Sequence, residues 1–270
     1  MTRFALNHMV MPARRFAEFA ASARRLGVTD VEIRNDLPGV EIADGTPPAE
    51  IRRQAEQTGV RILAINALQR FDNWNDTRAA EAAALARYAR ECGAGSLVLC
   101  PVNDRADPRP PDVRARDLRT ALTALAPILR NSAITGLIEP LGFPESALRT
   151  KRPALDAVDA TRTTDTFALL HDTFHHFLSG ETELFAARTM LVHVSGVVDP
   201  ALPLTSIRDK HRVLVIEHDR LGTLSQLRAL HAGGYTGPVS LEPFAPGCDD
   251  HTGLQACLAL LRSAVRSEQP

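Results

Sequence analysis

The chain has 270 residues, 44% of them hydrophobic and 23% charged, with a formal net charge of -1, a balance that argues against nucleic acid as its main partner. The same figures exclude a disordered chain or a disulfide scaffold, and no apolar run approaches the ~20 residues of a membrane span. The opening MTRFALNHMVMPARRF is too short in its apolar part for a secretory h-region.

A chain of 270 residues has room for two average domains, yet lies close to the ~250 residues of one (β/α)8 barrel. Its four cysteines, Cys92, Cys100, Cys248 and Cys257, form no CxxC pair and read as buried thiols of a reducing, cytoplasmic compartment. Only Lys151 and Lys210 are lysines, and neither ends a strand-like run. That counts against Schiff-base chemistry, which needs a desolvated lysine in the site.

In chain order, the short apolar runs are FALNHM (from Phe4), VEIR (Val31), RILAIN (Arg61), SLVLC (Ser96), ITGLIEP (Ile134), FALLHD (Phe167), MLVHVSG (Met190) and PVSLEP (Pro238). Several are almost continuously apolar, as parallel strands covered on both faces are. Helix-like stretches separate most of them. Leu118, Leu122, Leu125 and Leu129 share one helical face, as do Leu254, Cys257, Leu258, Leu261 and Val265. Gly27, Gly59, Gly93 and Gly237 are placed as helix stops before the second, third, fourth and eighth strands. This rhythm predicts a single α/β domain over residues 1–270, a closed (β/α)8 TIM barrel. An open doubly wound sheet is the weaker alternative, because no GxGxxG follows the first strand.

Two stretches break the rhythm. NDRADPRPP, residues 103–111, is too rich in proline for helix. After the seventh strand, a long segment, about residues 195–220, contains the apolar RVLVIE and reads as an ordered loop over the C-terminal face of the barrel.

In such a barrel the catalytic groups stand at the C-terminal ends of the strands. Glu139 ends the fifth strand, Asp172 the sixth and Glu242 the eighth, and His193 lies near the end of the seventh. Three carboxylates and an imidazole converging above a barrel could not all ionise unaided, because crowding buried like charges costs several kcal/mol. One divalent ion resolves this, and an O,O,O,N set suits Mn, Zn, Co or Mg. Singly, each residue could be a cap, an ion-pair member or a core histidine; equivalent placement in four successive units favours the metal. His175, three residues after Asp172, can reach the same mouth. His171 and His176 read as structural or solvent-facing. Arg212 is either a cation reaching over the site or a solvated arginine. Asn7, Glu32 and Asn66 lie in early strands, with Asn66 the best placed to line a pocket, and Trp74 either stacks on a sugar ring or anchors its loop.

The LIEP, HDTFHH, VHVSG and SLEPF segments resemble the xylose-isomerase-like barrel superfamily, which includes sugar isomerases, ketose 3-epimerases, hydroxypyruvate isomerase and endonuclease IV. FALNHM, VEIRNDL, FHH and RDKHRVLV are most similar to its inosose isomerase branch, which converts 2-keto-myo-inositol to 1-keto-D-chiro-inositol. The resemblance implies a divalent metal on Glu139, Asp172, His193 and Glu242, with Glu139 and Glu242 as acid/base groups on opposite faces of a keto-polyol or keto-sugar. It implies substrate contacts from His175 and Arg212, although the segment after His193 is longer here. The expected activity is a metal-dependent isomerase or epimerase of inositol catabolism acting through an enediolate, with no nucleic acid or membrane partner and with room for a homo-oligomer. The rival readings are a 3-dehydroshikimate- or inosose-type dehydratase and a non-catalytic sugar-binding barrel. Endonuclease IV chemistry needs a basic DNA face that the charge of -1 does not supply.

Overall fold

The structure, a computed structural model, describes residues 2–266. Eight parallel strands, β1 (Phe4–Asn7), β2 (Asp30–Arg34), β3 (Arg61–Gln69), β4 (Ser96–Cys100), β5 (Thr135–Ile138), β6 (Phe167–Asp172), β7 (Thr189–Val194) and β8 (Val239–Leu241), form a closed barrel in sequence order. Phe4 pairs with Val239 and Leu6 with Leu241, which closes the sheet and leaves no free edge. Helices α1 (Phe16–Arg25), α2 (Pro48–Thr58), α3 (Asp76–Cys92), α4 (Pro111–Ser132), α5 (Lys151–Ala160), α6 (Thr173–Ser179), α7 (Thr223–Ala232) and α8 (His251–Arg266) alternate with the strands. The expected (β/α)8 fold is thus the observed one, and the doubly wound sheet is excluded by the β1–β8 ladder.

The strands separate two apolar layers by simple alternation. Ile138, Leu169, Val192, Val194 and Leu241 join the large cluster that also holds the Leu118, Leu122, Leu125 and Leu129 stripe of α4. Their neighbours Leu137, Leu170 and Leu191 pack in a second cluster with Ala64 and Val98. Two residues further along each strand, on that second face, come Glu139, Asp172 and His193. The periodicity that builds the barrel therefore delivers these polar groups to its C-terminal mouth.

Gly59 and Gly93 end α2 and α3 at φ of 67° and 87°, where a Cβ is strained. Gly237 is different from its expected role as a stop. Helix α7 ends earlier, at Ala232, and a Cβ on Gly237 would lie 2.7 Å from the Met190 carbonyl and 2.6 Å from the Tyr235 hydroxyl. That glycine serves close packing. All four cysteines are free and buried. Trp74 packs partly buried against the large apolar cluster, so its loop-anchoring reading is the one observed.

On the outer face of β6, His171 and His176 enclose Lys151, whose Nζ lies 2.7 Å from His176 Nδ1, 3.4 Å from His171 Nδ1 and 3.2 Å from Glu181 Oε2. The ammonium donates and the imidazoles accept, so both histidines are neutral. Burial, reinforced by the Lys151 charge, holds His176 down at about 4 and His171 well below the ordinary value. A histidine with a depressed folded pKa contributes stability above its unfolded pKa of about 6.5, and that contribution is lost as pH falls towards the folded value. Urea unfolding at pH 7 and pH 4.5 should show this loss. His176→Gln, which keeps an acceptor without a titration, should remove on the order of 2 kcal/mol of it, allowing for partial exposure. An unchanged acid sensitivity in the variant would refute the assignment.

Candidate metal centre and active site

Glu139 and Glu242 lie one residue beyond β5 and β8, but their backbones still follow the sheet: Glu139 N–H donates to Leu99 O at 3.1 Å and Glu242 N–H to Val194 O at 2.9 Å. Asp172 ends β6 in register with His193 of β7. As a result Glu139, Asp172, His193 and Glu242, all buried, each present one ligand-type atom within 4.8 Å of all the others.

His193 is oriented from behind. Its Nε2–H faces Glu32 at 3.1 Å from both carboxylate oxygens, which selects the tautomer with a lone pair on Nδ1 when the ring is neutral. Nδ1 is buried and makes no aligned hydrogen bond, although Glu242 Oε2 lies at 3.1 Å and Glu139 Oε1 at 3.5 Å. Burial opposes charge on this ring, but Glu242, Glu32 and Glu139 outweigh it and hold its pKa well above the ordinary value without a metal. A buried, unpartnered imidazole nitrogen facing carboxylate oxygens is the donor arrangement of a metal ligand. The charges agree. Four buried carboxylates, those of Glu32, Glu139, Asp172 and Glu242, face two buried guanidiniums, those of Arg34 and Arg212. A divalent cation beside a neutral His193 balances the excess of two negative charges.

Arg212 does enter the site. It is 1% exposed; Nη2 donates to Asp172 Oδ2 at 2.6 Å and to Glu242 Oε2 at 2.9 Å, and Nε to Ser195 Oγ at 3.0 Å. The segment that carries it contains two single-turn 3-10 helices, Leu204–Ser206 and Asp209–His211, and is pinned by a Gly196–Val213 bridge. Phe174 and Phe244 flank the guanidinium at 4.9 and 4.6 Å. His175 accepts from Gly142 N–H through Nδ1 at 3.3 Å, which leaves Nε2–H as its donor.

A cavity of about 400 Å³ opens on this cluster, and Glu139, Glu242, His175, Arg212 and Asn66 all line it. Asn66 also donates to Glu32 Oε2 at 2.8 Å. Asn7 and Glu32 lie outside the lining and serve the site from behind, Asn7 through a 3.1 Å bond to Glu242 Oε1.

Several cavity residues escaped the reading of the sequence. Arg34 ends β2 and donates to Glu242 Oε1 at 2.9 Å. Cys100 ends β4 and its thiol donates to Glu139 Oε2 at 3.4 Å; burial and the Glu139 charge push its pKa well up, so it stays a donor. Both stand at strand C-termini, and the positional rule that singled out Asp172 would have found them. Phe143 and Phe244 follow β5 and β8 in loops without such a signal.

The family model described as xylose isomerase-like TIM barrel matches residues 20–264. The chain belongs to that family. This xylose isomerase-like barrel is similar in structure to a xylose isomerase domain containing protein from Salmonella typhimurium LT2, with 31% identity, a TM-score of 0.87 and coverage of 98% of this chain and 97% of the other. It is also similar to the IolI protein, solved with a bound zinc atom, at 18% identity and a TM-score of 0.84, with 99% of each chain covered. D-psicose 3-epimerase from Clostridium cellulolyticum H10, solved with D-tagatose, shares 13% identity at a TM-score of 0.77, covering 98% of this chain and 99% of that one. No curated protein sequence matches the chain. Among the described residues no helix is long and apolar enough to cross a membrane.

Proposed function

We infer that this barrel is a divalent-metal-dependent isomerase or epimerase of a neutral keto-polyol or keto-sugar, with 2-keto-myo-inositol as the first substrate to test. The observation that carries this reading is the convergence of Glu139, Asp172, His193 and Glu242 around the unpartnered Nδ1 of His193, with Glu139 and Glu242 lining a cavity of sugar size. The zinc in IolI and the sugar in D-psicose 3-epimerase support it by analogy. A divalent ion held by the four residues would supply Lewis acidity to the substrate's carbonyl and stabilise the developing oxyanion.

The chain's own groups do the rest. Glu139 and Glu242 move the proton between adjacent carbons of an enediolate. His175 Nε2–H and Arg212 orient substrate oxygens, and Asn66 lines the wall beside them. The apolar faces of Phe143 and Phe244 limit water at the reacting carbons.

A carboxylated substrate, as a 3-dehydroshikimate dehydratase would need, fits less well. Both buried arginines are engaged by carboxylates of the chain, and Arg70 at the rim is paired with Asp104 at 3.4 Å. An acid group would compete with these carboxylates for its cation. The deciding experiment incubates metal-loaded protein with 2-keto-myo-inositol in D2O and follows the products by NMR. The expected result is 1-keto-D-chiro-inositol with deuterium at the exchanged carbon. An unsaturated product would assign a lyase instead, and unchanged substrate with no C–H exchange would refute an enolising activity on this compound.

A further inference from the structure

The two oxygens of Glu242 have different surroundings. Oε1 accepts Nη1–H of Arg34 at 2.9 Å and Nδ2–H of Asn7 at 3.1 Å, so both of its in-plane lone pairs are occupied. Oε2 faces the ligand cluster, 3.1 Å from His193 Nδ1 and 2.9 Å from Arg212 Nη2.

The two arginines also differ. Arg212 takes Asp172 Oδ2 and Glu242 Oε2, oxygens on the cluster side, so a cation entering there competes with it. Arg34 touches the rear oxygen of Glu242, and the same Nη1 lies 3.5 Å from Asn7 Oδ1. Its other nitrogens, Nε and Nη2, form a two-pronged pair with Asp36 Oδ1 and Oδ2 at 2.8 and 2.7 Å, and the guanidinium rests 5.5 Å from the centre of the Phe244 ring. The Arg34 side chain is 8% exposed and Asp36 is 41% exposed. The planar fork fixes the direction of Nη1, and Nη1 in turn fixes Glu242.

We propose that Arg34 is a positioning residue that restricts Glu242 to a single ligand oxygen, with Asp36 holding Arg34 in place, so that a coordination position is kept for substrate. The proposal rests on the metal-centre reading above. Without Arg34, Oε1 keeps only Asn7, and the carboxylate is free to turn both oxygens towards a cation. Loss of a neighbouring positive charge draws the cation in more strongly as well. The signature is therefore threefold: metal is retained, turnover is lost, and the coordination of the bound ion changes, which loss of a substrate contact by the cavity-lining Arg34 would not produce.

Cobalt(II) as the sole added metal tests this, because its visible absorption weakens as coordination number rises. Purified wild type, Arg34→Met, Arg34→Lys and Asp36→Asn are compared for Co2+ affinity by calorimetry, for the visible spectrum, and for kcat and KM on 2-keto-myo-inositol. Arg34→Met should bind Co2+ with affinity equal to or up to about 10-fold tighter than wild type, show a weaker visible band, and lose about 100-fold in turnover. Arg34→Lys, which keeps the charge and one donor, should restore part of both signals, and Asp36→Asn should show the same spectral change in smaller degree. Should Arg34→Met fail to fold, those two variants carry the test. Spectra like that of wild type in the folded variants overturn the proposal, as does parallel loss of Co2+ binding and turnover. A wild-type protein that takes up no Co2+ overturns the metal-centre reading itself, an outcome distinct from a wild-type protein that binds Co2+ and folded variants whose spectra match it.

Discussion

Glu242→Gln and Glu139→Gln should each lose about 10³-fold or more in turnover, yet only the first should cost much stability. The shared loss follows from their proposed acid/base role, which typically supplies 10² to 10⁴ in rate. The difference follows from their partners. Glu242 is the meeting point of two buried guanidiniums, those of Arg34 and Arg212, and of His193. Burial alone would raise its pKa, but His193, Arg212 and Arg34 outweigh that and hold it well below the usual carboxylate range. A glutamine there removes the charge from three buried contacts at once, with Arg34 left on Asp36 and Arg212 on Asp172, and breaking such a buried network costs about 3 kcal/mol. Glu139, by contrast, has the Cys100 thiol at 3.4 Å and His193 at 3.5 Å as its side-chain partners among the described residues. In the metal-free protein its neutralisation removes one of the excess negative charges, so the change should be close to neutral. Turnover measurements alongside urea unfolding of the metal-free variants check both halves. Equal destabilisation by the two substitutions would contradict the charge assignment, and turnover like that of wild type in either would contradict the catalytic one.

The second large effect is metal removal. Treatment with EDTA should abolish turnover, and readdition of Mn2+, Co2+, Zn2+ or Mg2+ should restore it. Metal should also raise the melting temperature. An ion at about 100 times its Kd adds about 2.7 kcal/mol, which for a chain of this size is a shift on the order of 5–10 °C. Glu32→Gln is the informative companion. Glu32 touches His193 Nε2 and not the cluster side of the ring, so the variant should keep all four ligand-type residues and still bind metal about 10- to 100-fold less tightly. Full turnover after complete metal removal would end the proposed mechanism, and unchanged affinity in Glu32→Gln would show that orientation of the ring does not depend on this carboxylate.

The barrel was legible in the sequence because its physics is local and repeated. FALLHD and LVHVSG are almost wholly buried, so they read as continuous apolar runs, and the α4 stripe announces one of the helices that cover the barrel, packed beside β5. The same repeat made Glu139, Asp172, His193 and Glu242 visible, since equivalent positions in successive units share one mouth. Where punctuation had two causes, the sequence was ambiguous: Gly237 looks like a helix stop, but backbone proximity to Met190 and Tyr235 is what requires it.

The charge network was not legible. Arg34 and Glu242 are joined by a 2.9 Å bond across 208 residues of sequence, and His193 and Glu32 by 3.1 Å contacts across 161. Such pairs exist because closing the barrel brings β2 within reach of β7 and β8, with β1 alone between β2 and β8, a proximity that no spacing along the chain encodes. Whether Arg212 reached the cluster or the solvent could not be read from RDKHRVLV, because the answer depends on how an irregular segment packs between Phe174 and Phe244. Residue types and strand periodicity were enough to place the candidate ligands; the buried pairs that orient them, and tell one oxygen of a carboxylate from the other, arise only when distant segments share a desolvated space.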